Sequence, residues 1–328
     1  MSDPPVVSVV VPTHQRRASL LRLLEGLRKQ TLPYEDFEVV VAIDGSDDGT
    51  REAVKEFAAP FALSAVYHAN RGRAATVNAG VAGARGETIV ILDDDMEPAP
   101  ELLAAHLREH ERVAHAGVVG AAPIRLDEAT APFTRYRGAH FNSAISEMAT
   151  RPRAIAFAEA YTGNFSVRRT DFLEVGGFDA TFDGYGLEDY ELALRLTRAG
   201  VELVLAGDAI AYQHYDKTFP AAARDSESRG RSTAIFTTLH PSHAADLEGL
   251  PHPPRPSIAR RLFRYALPRV TRVVPVLSRL VIRLVDIAER RRTRLLPFVY
   301  ELGLEYFYLL GMREAARDQR LSARGSRW

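Results

Sequence analysis

The chain has 328 residues, enough for one or two domains, with 46% hydrophobic and 26% charged residues. These are ordinary globular proportions, and they exclude a collagenous, wholly disordered or integral membrane protein. There is no cysteine, so disulfides, thiolate metal sites and cysteine nucleophiles are all removed, and any metal must take oxygen or imidazole ligands. The formal charge is zero, 42 basic against 42 acidic residues, yet Arg255 to Trp328 hold 17 arginines, no lysine and six acids, a net +11 set against −11 elsewhere. Met1 to Pro5 lack the basic start and cleavage site of a signal peptide, so a cytoplasmic protein is expected. No uncharged apolar run approaches the ~18 to 20 residues that cross a bilayer, because Arg279, Arg283, Glu301 and Glu305 interrupt the best candidates.

Val6 to Val11 form a valine-rich run, and Leu20, Leu23, Leu24 and Leu27 then recur at helical spacing, predicting a buried strand followed by an amphipathic helix. The unit repeats with strand Phe37–Ile43 and helix Thr50–Phe57, then strand Leu63–Tyr67 and helix Arg73–Ala84, then strand Thr88–Leu92. This alternation predicts an α/β fold, a doubly wound and mostly parallel sheet of nucleotide-binding type with helices on both faces. From Ala121 to Ala160 the periodicity is poor and predicts a mixed excursion. Regularity returns with strand Asn164–Val167, a helix near Thr170–Val175, the turn Gly176-Gly177, a helix from about Leu187 to Ala199, and a short strand ending at His214.

Pro251, Pro253, Pro254 and Pro256 then mark a boundary, so residues 1–250 are expected to form the catalytic domain and 251–328 an Arg-rich helical appendage. In the appendage Leu277, Leu280, Val281, Leu284, Val285 and Ala288 share one helical stripe opposite Arg279, Arg283 and Arg290. Such a basic amphipathic helix can lie on the inner face of a membrane, or it can pack on the catalytic domain or another subunit. Arginine without lysine gives no reason to expect a nucleic-acid partner.

Open α/β sheets bind ligands at the carboxyl ends of their strands. Those ends carry Pro12-Thr13-His14-Gln15-Arg16, Asp44-Gly45-Ser46-Asp47-Asp48-Gly49-Thr50, Asn70-Arg71-Gly72-Arg73 and Asp93-Asp94-Asp95, all expected to face one crevice. Three carboxylates at one strand end repel one another, and a divalent cation bridging to a phosphate relieves the repulsion. One helix cap before the helix announced by Pro98 and Pro100 would need only one of the three acids. Asp44 to Thr50 suits a turn with an N-cap, but beside the triplet Asp44 can accept from a base N–H while Pro12 and Thr13 meet the base or its ribose.

The order Val9-Val10-Val11-Pro12-Thr13, then Asp44 to Thr50, then the aspartate triplet resembles glycosyltransferase family 2 of the GT-A fold over about Val6 to His214. Thr162-Gly163-Asn164-Phe165-Ser166-Val167 through Gly176-Gly177-Phe178-Asp179 to Gly184-Tyr185-Gly186-Leu187-Glu188-Asp189 also resembles the carboxyl-terminal part of galactosyltransferase-like families. The resemblance implies that Asp93 and Asp95 serve the nucleotide-sugar and its Mn²⁺ or Mg²⁺, with Asp95 a direct ligand, and Asp94 between them is expected to contact the nucleotide-sugar. It implies Asp189 as catalytic base with Glu188 beside the acceptor, and His214 as a second metal ligand, where a lone histidine would otherwise be a packed core residue. Glu188 and Asp189 could also serve only as first-turn acids at a helix dipole. Tyr185 and Gly186 could meet an acceptor sugar ring, or Tyr185 could be rim packing. Family members commonly carry an Arg-Asn pair early in the helix after the third strand; here Val77-Asn78 stands there, which leaves Arg71 or Arg73 to meet the base or diphosphate.

The expected activity is therefore an inverting, metal-dependent glycosyltransferase moving a sugar from a nucleoside diphosphate sugar, uridine-based, to a glycan, lipid-linked or other hydroxyl acceptor. A metal-dependent nucleotidyltransferase, or a non-catalytic glycan- or nucleotide-binding scaffold, would share part of this pattern.

Overall fold

The computed structural model describes residues 4–151, 153–249 and 274–325. The predicted boundary prolines Pro251, Pro253, Pro254 and Pro256 lie outside the described residues. The chain forms two compact units, one of residues 1–125, 138–183 and 188–215, the other of 126–137, 184–187 and 216–328.

The first unit is built on an eight-stranded sheet. Its strands are β1 (Val7–Thr13), β2 (Phe37–Asp44), β3 (Ala62–His68), β4 (Thr88–Leu92), β5 (Met96–Pro98), β6 (Ala116–Ala121), β7 (Asn164–Arg168) and β8 (Glu202–Gln213). Their order is β3-β2-β1-β4-β7-β6-β8-β5. β1 to β4 are mutually parallel, β6 pairs parallel with β8, and β7 runs antiparallel between β4 and β6. The reversal of β7 places its beginning beside the end of β4, with Leu92 opposite Asn164. β8 is longer than the short strand expected there, and it carries β5 antiparallel on its outer side.

Side chains alternate across the sheet and supply two cores. On one side Val9, Val11, Val39, Val41 and Val90 meet Leu20, Leu23 and Leu24 of α1 (Arg17–Leu27) and Leu102 and Leu103 of α4 (Leu102–Arg112). On the other side Val10, Val40, Ile89 and Ile91 meet Val77 and Val81 of α3 (Arg73–Gly83) and Leu192 and Leu196 of α7 (Glu188–Arg198). Both faces of these strands are covered, which is why they read as continuous valine and isoleucine runs. The short helices α2 (Thr50–Glu56) and α6 (Arg169–Glu174) complete the crossovers.

The expected mixed excursion is corrected in one respect: it contains α5 (Pro132–Ala149), an 18-residue helix. Phe133, Thr134 and Met148 are among its few buried side chains, so no regular apolar stripe betrayed it.

The second unit contains α8 (Phe219–Leu239) and the helices Val274–Arg290 and Leu296–Gly325. A Cβ on Gly230 would collide with the Tyr308 carbonyl, and one on Gly311 with the Glu227 carbonyl, so α8 and Leu296–Gly325 touch backbone to backbone. Phe133, Phe219 and Tyr300 form an aromatic cluster with ring centroids 5.0 to 5.9 Å apart. No helix of the described residues is long and apolar enough to cross a membrane.

A buried histidine network ties α4 to β7. His106 shares hydrogen bonds with Asn164 Oδ1 (2.9 Å) and Ser166 Oγ (2.8 Å), and His110 Nε2 lies 2.8 Å from the same Ser166 Oγ. Burial holds both rings neutral, lowering His106 from 6.5 to about 4 and His110 to about 3. Below pH 6.5 the unfolded chain therefore takes up protons that the native state refuses. The stability from the neutral rings is complete above about pH 6.5 and drains as pH falls, by about 3 kcal/mol for His106 near pH 4. Urea titrations between pH 7 and 4 are expected to show a shallower decline for His106→Gln than for the parent; equal slopes would remove the assignment.

Candidate active site

The carboxyl ends of β1, β2 and β4 and the beginning of β7 form one polar edge. Thr13 Oγ1 donates to Asp94 Oδ2 at 2.8 Å. Asp44 accepts from the backbone N–H groups of Arg71 (2.7 Å) and Gly72 (3.1 Å), so the end of β2 holds the loop leading into α3. Gly72 is needed there: its φ is +82°, and a Cβ would stand 2.8 Å from the Asp183 carbonyl. Pro12 is buried on β1 opposite Ala42, and Arg71 is exposed.

Two arginines organise the acids. Arg16 Nη1 lies 3.2 Å from Asp94 Oδ1 and 3.2 Å from Asp95 Oδ2. Arg73, the first residue of α3, donates to Asp93 Oδ1 through Nε (3.0 Å) and Nη2 (2.8 Å), to Thr162 Oγ1 (3.0 Å), and to Asp189 Oδ1 (3.4 Å), with Glu188 Oε1 at 4.0 Å. Thr162 also donates a short hydrogen bond to Asp189. One guanidinium thus connects the end of β4, the segment before β7 and the first turn of α7.

Burial pushes the Asp94 carboxyl up to about 7, aided by Asp95 and Asp93 and opposed by Arg16 and Thr13. Asp95 is raised by burial and by Asp93, against the pull of Arg16. Glu188 is pushed up to about 8 by burial and by its neighbour Asp189. Burial raises Asp189 as well, while Arg73 and Thr162 favour its ionised form. Burial favours the neutral form of Glu188, while the donors from Arg73 and Thr162 favour the ionised form of Asp189, so the two neighbouring acids are differently placed.

The donor set suits a hard divalent cation. Asp95 Oδ1 is buried without a hydrogen-bond partner, an acceptor that a cation would satisfy. Among the described residues no group of three or more His, Cys, Asp or Glu side chains gathers around a metal position. The His214 ring lies 2.7 Å from Glu97 Oε2, while its backbone N–H donates to the Asp95 carbonyl at 2.9 Å. Gln213 Nε2 approaches Asp95 Oδ2 at 3.4 Å.

Arg16, Thr162, Glu97 and Gln213 have no role predicted from the sequence, since none of them belongs to a local pattern that marks a site. The helix after β3 explains the departure at Val77-Asn78. Val77 is fully buried in the core, and Asn78 clamps Phe178 through its backbone N–H (2.9 Å) and carbonyl (2.8 Å). Arg73 stands one helical turn before Val77 on the same face and supplies the cation.

In the second unit Tyr185 is half exposed, with Lys217 Nζ 4.8 Å from its ring centroid and its backbone N–H donating to Ser228 Oγ at 2.8 Å. Gly186 has φ +95° and Leu187 φ +71°, a left-handed pair directly before Glu188 in the chain.

Parallel strands ending in buried carboxylates form the carboxyl edge at which open α/β sheets generally bind ligands. The family model for glycosyl transferase family 2 matches residues 8–176, just over half of the chain, and a model for the N-terminal domain of galactosyltransferase matches residues 140–217. The chain belongs to glycosyltransferase family 2. It is 31% identical over 238 residues to a validoxylamine A glucosyltransferase of Streptomyces hygroscopicus subsp. jinggangensis, a match covering 63% of this chain and 55% of that protein. A glycosyltransferase of Bacillus subtilis is 27% identical over 251 residues, covering 62% and 63%. The chain thus spans little more than half the length of these relatives.

The fold is similar to that of a mannosyltransferase from Pyrobaculum calidifontis solved with GDP-Man and Mn²⁺, with TM-score 0.65 and 20% identity over 96% of this chain and 88% of that one. It is also similar to S. aureus TarS residues 1–349 solved with UDP-GlcNAc, with TM-score 0.55 and 15% identity over 95% and 92%.

Replacing Arg73 by Met removes the cation that, among the described residues, Asp93, Glu188 and Asp189 share. Breaking a buried charge cluster in this way is expected to cost about 3 kcal/mol. Urea unfolding of Arg73→Met at pH 7 measures it, and a loss below about 1 kcal/mol would show that the cluster does not depend on Arg73.

Proposed function

We propose that the protein is an inverting, metal-dependent glycosyltransferase that uses a nucleoside diphosphate sugar, uridine-based, and delivers the sugar to a hydroxyl of a glycan or lipid-linked acceptor. The observation that carries this reading is the linkage made by Arg73, which joins Asp93 of the aspartate triplet to Asp189 at the head of α7. A donor on the triplet and an acceptor on Asp189 then share one charged hinge.

Asp44, Pro12 and Thr13 line the end where the base and ribose bind. Asp93 and Asp94 face the donor, and Arg71 and Arg73 attract its diphosphate. Asp95, with His214, would hold Mn²⁺ or Mg²⁺, which would supply charge neutralisation to the departing diphosphate. Asp189 accepts the proton of the acceptor hydroxyl as that oxygen bonds to the anomeric carbon. The carbon–oxygen bond to the diphosphate breaks on the opposite face, so the configuration inverts. Glu188, whose neutral form burial favours, can donate a hydrogen bond to the acceptor.

Asp189→Asn keeps the shape and removes the base. Transfer is expected to fall by about 10²- to 10⁴-fold, while metal-dependent nucleotide binding, followed by calorimetry with UDP and with GDP, stays intact. Full transfer in that variant would refute the role. Asp95→Ala is expected to bind nucleotide with the same affinity in Mn²⁺ and in EDTA; a retained Mn²⁺ response would move the metal to other ligands. The product tests the donor class: nucleoside diphosphate released from a sugar nucleotide supports this reading, and diphosphate released from a nucleoside triphosphate supports a nucleotidyltransferase.

A further inference from the structure

Five of the twelve exposed large hydrophobic side chains among the described residues, Leu280, Leu284, Ile287, Leu295 and Phe298, fall within one short stretch of the second unit. Leu295, at 67% exposure, is the most exposed of all twelve. At about 100° per residue, Leu280, Leu284 and Ile287 form one strip along the helix Val274–Arg290. Val285 and Ala288 lie about 100° to one side of that strip and are buried. The predicted apolar stripe is therefore divided, its inner half packed and its outer half open to solvent. About 80° to the other side stand Arg279, Arg283 and Arg290, all exposed.

The turn that follows adds exposed Arg291, Arg292 and Arg294 immediately before Leu295. Six arginines thus accompany two acids between residues 279 and 294. Asp286 is paired with Arg290 at 3.0 Å, and Glu289 accepts from Tyr300 at 2.7 Å, which leaves the face strongly positive. An aqueous surface has no use for five bare apolar side chains, and a two-fold contact with a second copy would set arginine rows against each other.

We propose that this face rests on an anionic lipid bilayer. Its leucine, isoleucine and phenylalanine side chains enter the boundary below the headgroups, and the arginine row pairs with lipid phosphates. The proposal is independent of the glycosyl-transfer reading, because its readout is vesicle binding.

The full chain is floated with phosphatidylcholine vesicles and with the same vesicles containing phosphatidylglycerol. It is expected to float with the anionic vesicles alone and to be released as salt approaches ~1 M, where the Debye length is ~3 Å. Leu284→Glu combined with Leu295→Glu, both at exposed positions, is expected to reduce partitioning about tenfold or more with an unchanged melting temperature. Arg279→Glu with Arg283→Glu should do the same, with the larger effect at low salt. Absence of flotation at low salt, or variants that float like the parent, would overturn the proposal. A dimer seen in sedimentation equilibrium and abolished by the leucine pair, without vesicle binding, would overturn it in favour of self-association.

Discussion

The site depends on crowded negative charge held by too few cations. Asp93, Asp94, Asp95, Glu188 and Asp189 are gathered around Arg16 and Arg73, so full ionisation would leave an excess of three negative charges. Like charges about 4 Å apart repel by roughly 4 kcal/mol at an effective dielectric near 20. Burial and the neighbouring Asp189 push Glu188 up to about 8, and its neutral form relieves part of this. The remainder is negative charge that a bound cation would neutralise. The orphaned oxygen of Asp95 is the local sign of the same imbalance.

The sheet makes the crowding possible. Hydrophobic strands that end together bring Thr13, Asp44 and the aspartates to one edge, and the reversal of β7 carries Thr162 to the same edge from the other direction. Gly163 shows how tight the junction is, since a Cβ there would stand 2.7 Å from Asp93 Oδ2. Arg73 can reach Asp93, Thr162 and Asp189 because it opens α3, where Asp44 fixes the preceding loop through two backbone N–H groups. Fold and site are coupled at Arg73, which also lies 5.6 Å from the centre of the Phe178 ring.

The helical unit uses a different principle. Glycines at Gly230 and Gly311 remove side chains so that two backbones can touch, although glycine within a helix ordinarily destabilises it. Aromatic rings fill the remaining space. The arginine-rich helix Val274–Arg290 buries half of its apolar stripe in this unit and leaves the other half facing water, next to a row of positive charge.

Alternating strands and helices, the aspartate triplet and the Glu188-Asp189 pair were legible because each is a local pattern: uninterrupted valine for a doubly covered strand, leucine at helical spacing, acids at a strand end. The helix α5 was not legible, since its few buried residues are irregularly spaced. The direction of β7 could not be read either, because antiparallel and parallel strands buried on both faces have the same composition. The sequence alone determined the fold class and the family of carboxylates. Only the tertiary structure decided that Arg73, rather than a residue at position 77, links them, and that the His214 ring is engaged by Glu97. Those outcomes depend on which side chains long-range packing brings within hydrogen-bond distance, a quantity with no local trace in the chain.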